Sequence, residues 1–165
     1  MNKWDDFTKR LAGSHTAVEA VAKWLEQWGK VDVPALRIAP NQDVADLYKD
    51  NGDIFFYAQD GRKLRIEVKG RTLKFTSQQD FPYPDMAVCA SESWERAVAS
   101  GNKPYAYITV ADDLYHIGIV KVRTTYPYWK ERVLNDPVRG HSYAAKFCPL
   151  TKVKWETLNQ RSKHV

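Results

Sequence analysis

Asn51-Gly52-Asp53-Ile54-Phe55-Phe56-Tyr57-Ala58-Gln59-Asp60-Gly61-Arg62-Lys63-Leu64-Arg65-Ile66-Glu67-Val68-Lys69 is the stretch in which the chain adopts a two-residue period. Two β-rich runs flank a polar Gln59-Asp60-Gly61-Arg62 segment, which predicts a β-hairpin with Asp60-Gly61 at its tip. Side chains alternate across a strand, so Leu64, Ile66 and Val68 point to one face and Arg65, Glu67 and Lys69 to the other. If the hairpin closes across Asp60-Gly61, Asp53 and Glu67 come to the same end of the sheet. Two carboxylates so placed suit a hard divalent cation, which phosphodiester hydrolysis needs to activate water and neutralise phosphate charge. Lys69, on the face of Glu67, is then placed to hold the attacking water and pair with the phosphate. The same charges also fit the solvated face of an ordinary hairpin, with Asp53 a turn residue.

Upstream, Ser14 or Thr16 caps a predicted helix running to about Trp28 and stopped by Gly29. Ala17, Val18, Val21, Ala22, Leu25 and Trp28 fall on one arc of it, with Glu19, Lys23, Glu26 and Gln27 outside. Downstream, residues 71–85 read as a polar crossing and Met86 to Ala90 as a short strand. Ser91 or Ser93 caps a helix ending near Gly101, and Tyr105–Val110 and Tyr115–Val122 form a strand pair around Asp112-Asp113. A short helix is expected around Tyr128 to Leu134 and a late strand at Tyr143 to Phe147.

Composition narrows the class. The chain has 165 residues, 44% hydrophobic and 27% charged, the size and balance of one globular domain. A formal charge of +5 favours an acidic partner such as nucleic acid. No window is apolar enough for a membrane span and Met1–Arg10 lacks the apolar stretch of a secretion signal, so a cytoplasmic protein without a membrane partner is expected. Cys89 and Cys148 have no CxxC spacing, and His15, His116, His141 and His164 suggest neither a zinc site nor a catalytic pair. A GxxxxGK[ST] run is absent, which argues against nucleotide triphosphate use.

Gly52-Asp53, followed fourteen residues later by Glu67-Val68-Lys69 closing an apolar strand, resembles the signature of the PD-(D/E)XK nuclease superfamily. The order of elements is similar to that superfamily's helix, three-stranded meander, second helix and further strand. Helix 14–28, strands near 33–38, 53–57 and 64–69, helix 91–100 and strand 105–110 would take those places. The resemblance implies an α/β, restriction endonuclease-like core with a central mixed β-sheet flanked by helices. One nuclease domain would span residues 1–165, with its core at about 14–122 and a C-terminal extension at about 123–165. Asp53 and Glu67 become metal ligands by this resemblance, the backbone carbonyl of Val68 a further ligand, and Lys69 the water-positioning base or electrostatic stabiliser. Glu19 occupies the place of a helical glutamate that joins the metal site in many members, though it also fits a solvent-facing helix residue. A proline commonly precedes the aspartate in the superfamily; here it is Gly52.

Arg71 and Lys74, close to Lys69, are placed to guide a strand into such a site. Lys121, Arg123, Trp129 and Lys130, with Tyr126, Tyr128 and Arg132, mix basic and aromatic residues as phosphate contact and base stacking require, or else simply pack. The resemblance implies a Mg²⁺-dependent endonuclease acting on DNA, with Mn²⁺ as substitute metal and an RNA-directed nuclease as a separate alternative. It would be a small stand-alone member, resolvase-like or phage-type, in a bacterial or phage-infected host cytoplasm, and a homodimer would supply two cuts. The alternative is a non-catalytic nucleic-acid-binding or assembly protein with the same fold.

Overall fold

A computed structural model describes residues 15–34, 54–137 and 140–159. The predicted hairpin is present: β2 (Ile54–Tyr57) pairs antiparallel with β3 (Lys63–Gly70), Ile54 opposite Ile66 and Tyr57 opposite Lys63. At its tip Ala58 N donates to Arg62 O at 2.9 Å, and Gly61 takes φ 88°, the left-handed region that glycine enters without a Cβ clash. The Asp60 carboxylate closes the turn by accepting from Arg62 N at 3.1 Å and Arg62 Nε at 2.7 Å.

On its free side β2 pairs with β1 (Lys30–Asp32), which lies earlier than the strand expected near 33–38; residues 35–38 are outside the described ones. On the other side β3 runs parallel to β5 (Ala106–Val110), and the connection between them carries β4 (Asp85–Ala90) and α2 (Ser91–Ala99). Parallel neighbours need such a crossover. Antiparallel strands β6 (His116–Lys121) and β9 (Lys154–Thr157) complete a six-stranded mixed sheet in the order β1-β2-β3-β5-β6-β9. The fold is thus α/β with a central mixed sheet.

Residues 15–25 form helix α1, which covers one face of that sheet. Ala17, Val18, Val21, Ala22 and Leu25 are buried against Ile54, Ile66, Val68, Ile108, Val110 and Ile117. The tryptophans exchange roles relative to the predicted arc: Trp24 is buried at 8% exposure, whereas Trp28 is 38% exposed and meets Trp24 edge-on. The helix ends at residue 25 and a turn follows, carrying Trp28 off the arc.

The second face is covered by a three-stranded antiparallel sheet, β4-β8-β7, with β8 (His141–Pro149) in the middle and β7 (Lys130–Asp136) at the edge. Phe75, Phe81, Met86, Val88, Trp94, Tyr107, Val120, Cys148 and Val153 fill the space between the two sheets. The late strand expected at Tyr143–Phe147 is the centre of β8. The helix expected around Tyr128–Leu134 is not: a 3-10 turn at Tyr126–Tyr128 leads into strand β7. Its residues pair with β8 from Lys130–Phe147 to Asp136–His141, and Val133 is 71% exposed, so no apolar stripe exists to hold a helix there. Residues beyond 122 are woven into both sheets, β8 against β4 and β9 against β6. Among the described residues no helix is long and apolar enough to cross a membrane.

Candidate functional site

Strand β3 divides its side chains as its alternation requires. Ile66 and Val68 are 4% and 5% exposed beneath α1, while Arg65, Glu67 and Lys69 face the second sheet and are half-buried. With side chains only 14% and 23% exposed, Arg65 and Glu67 do not form an open solvated surface. The register of β3 with β5 sets Glu67 beside Tyr107 and Lys69 beside Thr109, which is itself buried.

Arg65 fixes the carboxylate. Its Nη2 donates to Glu67 Oε1 and its Nη1 to the carbonyl of Asn102 at 2.6 Å, with the Arg65 side chain only 14% exposed. A guanidinium held at both ends orients the carboxylate beside it. Cys89 of β4 is buried in the same cluster as Tyr107, the β5 neighbour of Glu67. Burial pushes the Cys89 thiol above its usual range, and burial followed by the neighbouring Cys89 does the same to the Tyr107 phenol. Both are neutral polar groups. The charges of Lys69, Glu67 and Lys146 all act on the Cys89 thiol.

Lys146 belongs to β8 and pairs with Cys89 on one side and Glu131 of β7 on the other. Its Nζ donates to Glu131 Oε2 at 2.8 Å, and Ser91 Oγ at the start of α2 donates to the same oxygen at 2.9 Å. The Lys146 hydrogen bond, then that of Ser91, hold the Glu131 carboxyl below its usual range. None of Tyr107, Lys146, Glu131 or Ser91 stands out in the sequence. The period-two run Tyr143–Phe147 marks a strand but carries no signal that Lys146 faces Glu67 and Lys69.

Asp53 lies outside the described residues; the described pairing begins at Ile54–Ile66, one position before Glu67. Among the described residues no three His, Cys, Asp or Glu side chains gather as a metal-binding group. The donor chemistry they contribute is one hard carboxylate, Glu67, next to Val68 in mid-strand, which suits magnesium-type cations and requires a further carboxylate. Glu19 is not brought to Glu67: α1 lies over the Ile66–Val68 face, and Glu19, 68% exposed, meets His15 Nε2 at 3.4 Å. There it borders a shallow groove with Lys23, Glu26, Val33 and Pro34.

The expected nucleic-acid contacts are dispersed. Arg71 follows β3 near Tyr83 and Tyr143, and Lys74 is 90% exposed at 4.0 Å from Asp112. Lys121, Arg123 and Lys130 are exposed, Lys121 lying over the Tyr105 ring. Trp129 packs against Trp94, Tyr107 and Tyr126 and donates from Nε1 to Thr125 Oγ1 at 2.9 Å, the role of a packing residue. Comparison with family models, curated proteins and solved structures gives no match for this chain.

Proposed function

We propose that this chain is a metal-dependent nuclease of the PD-(D/E)XK kind that hydrolyses phosphodiester bonds in DNA as an endonuclease. The observation that carries the reading is that Glu67 and Lys69 share one face of a central strand and are half-buried there, opposite the face that α1 covers. A chance charged hairpin would present that face to water. The chain order of helix, three-stranded meander, helix and a further strand parallel to the third, with β4 inserted before the second helix, supports the same reading.

Asp53, Glu67 and the Val68 carbonyl would hold a Mg²⁺ or Mn²⁺ ion, which when bound supplies an acidic water and neutralises charge on the scissile phosphate. The chain's own groups do the rest. Arg65 fixes the direction of the Glu67 carboxylate. Lys69, two positions along the same face, donates to the attacking water and to a non-bridging phosphate oxygen where negative charge grows. Tyr107 and Cys89, buried and uncharged, keep water from that side of Glu67, so these charge interactions are stronger than in open water.

The test is cleavage of labelled linear, single-stranded and branched DNA, with RNA alongside, in Mg²⁺, Mn²⁺ or EDTA. The expected result is metal-dependent product from the wild type and a loss of at least about 100-fold in Lys69→Ala, with DNA affinity retained. Tight binding without cleavage of any substrate in either metal would replace this reading with that of a non-catalytic nucleic-acid-binding protein.

A further inference from the structure

We infer that Lys146 is a second phosphate-binding cation of the same site, gripping the nucleic-acid backbone from the wall opposite Lys69. The inference takes from the proposed function only that the ligand is a polyanionic phosphodiester chain. Its basis is a row of registered positions. In the six-stranded sheet Glu67 stands beside Tyr107; in the three-stranded sheet Cys89, Lys146 and Glu131 stand abreast. The two rows meet in the buried cluster that holds Tyr107 and Cys89 together, and Cys148, two residues beyond Lys146 on the same face of β8, is fully buried in it. Lys146 therefore points toward the layer that carries Glu67 and Lys69.

The ammonium is also prepared for a ligand. Glu131 Oε2 receives both Lys146 Nζ at 2.8 Å and Ser91 Oγ at 2.9 Å, so the carboxylate is itself anchored and holds the lysine in one direction. Glu95 and Tyr126 lie near it as well. An ammonium has three donors, and the ion pair with Glu131 uses one. The Lys146 side chain is 23% exposed, which leaves it reachable from solvent. A half-exposed partner such as Glu131 contributes little to stability, so the arrangement is better explained by positioning than by holding β7 to β8, which their backbone pairing already does.

The test measures affinity for a labelled DNA duplex in EDTA over a series of salt concentrations, for wild type, Lys146→Ala, Lys146→Arg and Glu131→Gln. Cleavage in Mg²⁺ and thermal unfolding are followed on the same preparations. Each phosphate contact contributes about 0.9 to the slope of log affinity against log salt. Lys146→Ala should lower that slope by about one contact, while Lys146→Arg and Glu131→Gln, which keep the cation, should retain it. Equal weakening by Lys146→Ala and Glu131→Gln with unchanged slopes would mean a structural ion pair only and overturn the inference, with the nuclease reading untouched. A slope change in Lys146→Ala without metal-dependent cleavage by the wild type would uphold the phosphate contact and remove the catalytic reading. Absence of DNA binding by the wild type would overturn both.

Discussion

Cys89 and Cys148 are free thiols, both buried, and their surroundings set how they react. Burial pushes Cys148 up to about 11, and burial likewise raises Cys89. Only the thiolate attacks a disulfide reagent, so native protein at about pH 8 should hold almost no reactive sulfur. Thiol titration should find both cysteines slow in the native state and both fast in denaturant; one rapid native thiol would show that the core admits the reagent. Asp80 offers the opposite sign. Its carboxylate accepts from Thr76 N at 2.9 and 3.0 Å, Ser77 N at 2.9 Å and Thr76 Oγ1 at 2.7 Å, and the backbone bond from Thr76, then that from Ser77, hold its carboxyl below the usual 3.8. A carboxyl lowered on folding contributes stability that is complete above its unfolded value and lost as pH falls through its folded value. The loop at 76–80 should therefore stay closed at neutral pH and loosen below about pH 4, seen as faster exchange of the Thr76 and Ser77 amides relative to β3. Asp80→Asn, which keeps the shape but not the charge, should remove that pH dependence.

Two glycines show how elements are fitted together. Gly29 follows the turn after α1, and its backbone is not left-handed; among the described glycines that conformation falls at Gly61, Gly101 and Gly140. What Gly29 supplies is closeness: a Cβ there would lie 2.7 Å from the Tyr57 carbonyl oxygen and 2.9 Å from Phe56 Cζ. Backbone cannot yield as a side-chain tip can, so Gly29→Ala should cost about 1–3 kcal/mol by pushing the α1–β1 turn off the edge of β2. Gly118 in β6 plays the same part between the sheets, where a Cβ would meet Met86 Cε at 2.6 Å and Val153 Cγ1 at 3.1 Å. Met86 is 1% exposed and has little room to move, so Gly118→Ala should cost a similar amount in urea unfolding, and Met86→Ala should relieve part of the clash in the double variant. An additive result in that pair would place the strain elsewhere. At this scale much of the chain is legible. The hairpin, β5, β6, α2 and the core of α1 all carry their period in their own residues. What was hidden depends on partners remote in sequence: β7 is a strand because β8 supplies its hydrogen bonds, and β9 is four residues long and exists only against β6.

Across the whole molecule the same distinction governs the candidate site. Alternation along one strand is enough to put Glu67 and Lys69 on a common face, whereas the opposite wall, Cys89 and Lys146, arises from the packing of one sheet on another and leaves no local trace. That second sheet is not an addition to a core ending near residue 122. Its strand β4 precedes α2, its strands β7 and β8 follow α3 (Val122–Thr125), and β9 then returns to the edge of the first sheet. Cutting after residue 122 would strip β4 of its one strand partner among the described residues and β6 of its outer one. It would also expose Met86, Val88 and Val120, each at most 1% exposed in the intact chain. Burial of each such side chain is worth about 1.5–3 kcal/mol, and a domain's whole stability is about 5–15 kcal/mol, so losing several together is more than it can absorb. A chain of residues 1–122 should therefore show no cooperative thermal transition and should bind a hydrophobic dye, while the full chain melts in a single step and does not. If the shortened chain instead melts cooperatively near the temperature of the intact protein, the second sheet is dispensable to the fold. The wall opposite Lys69 would then have to be sought in what remains.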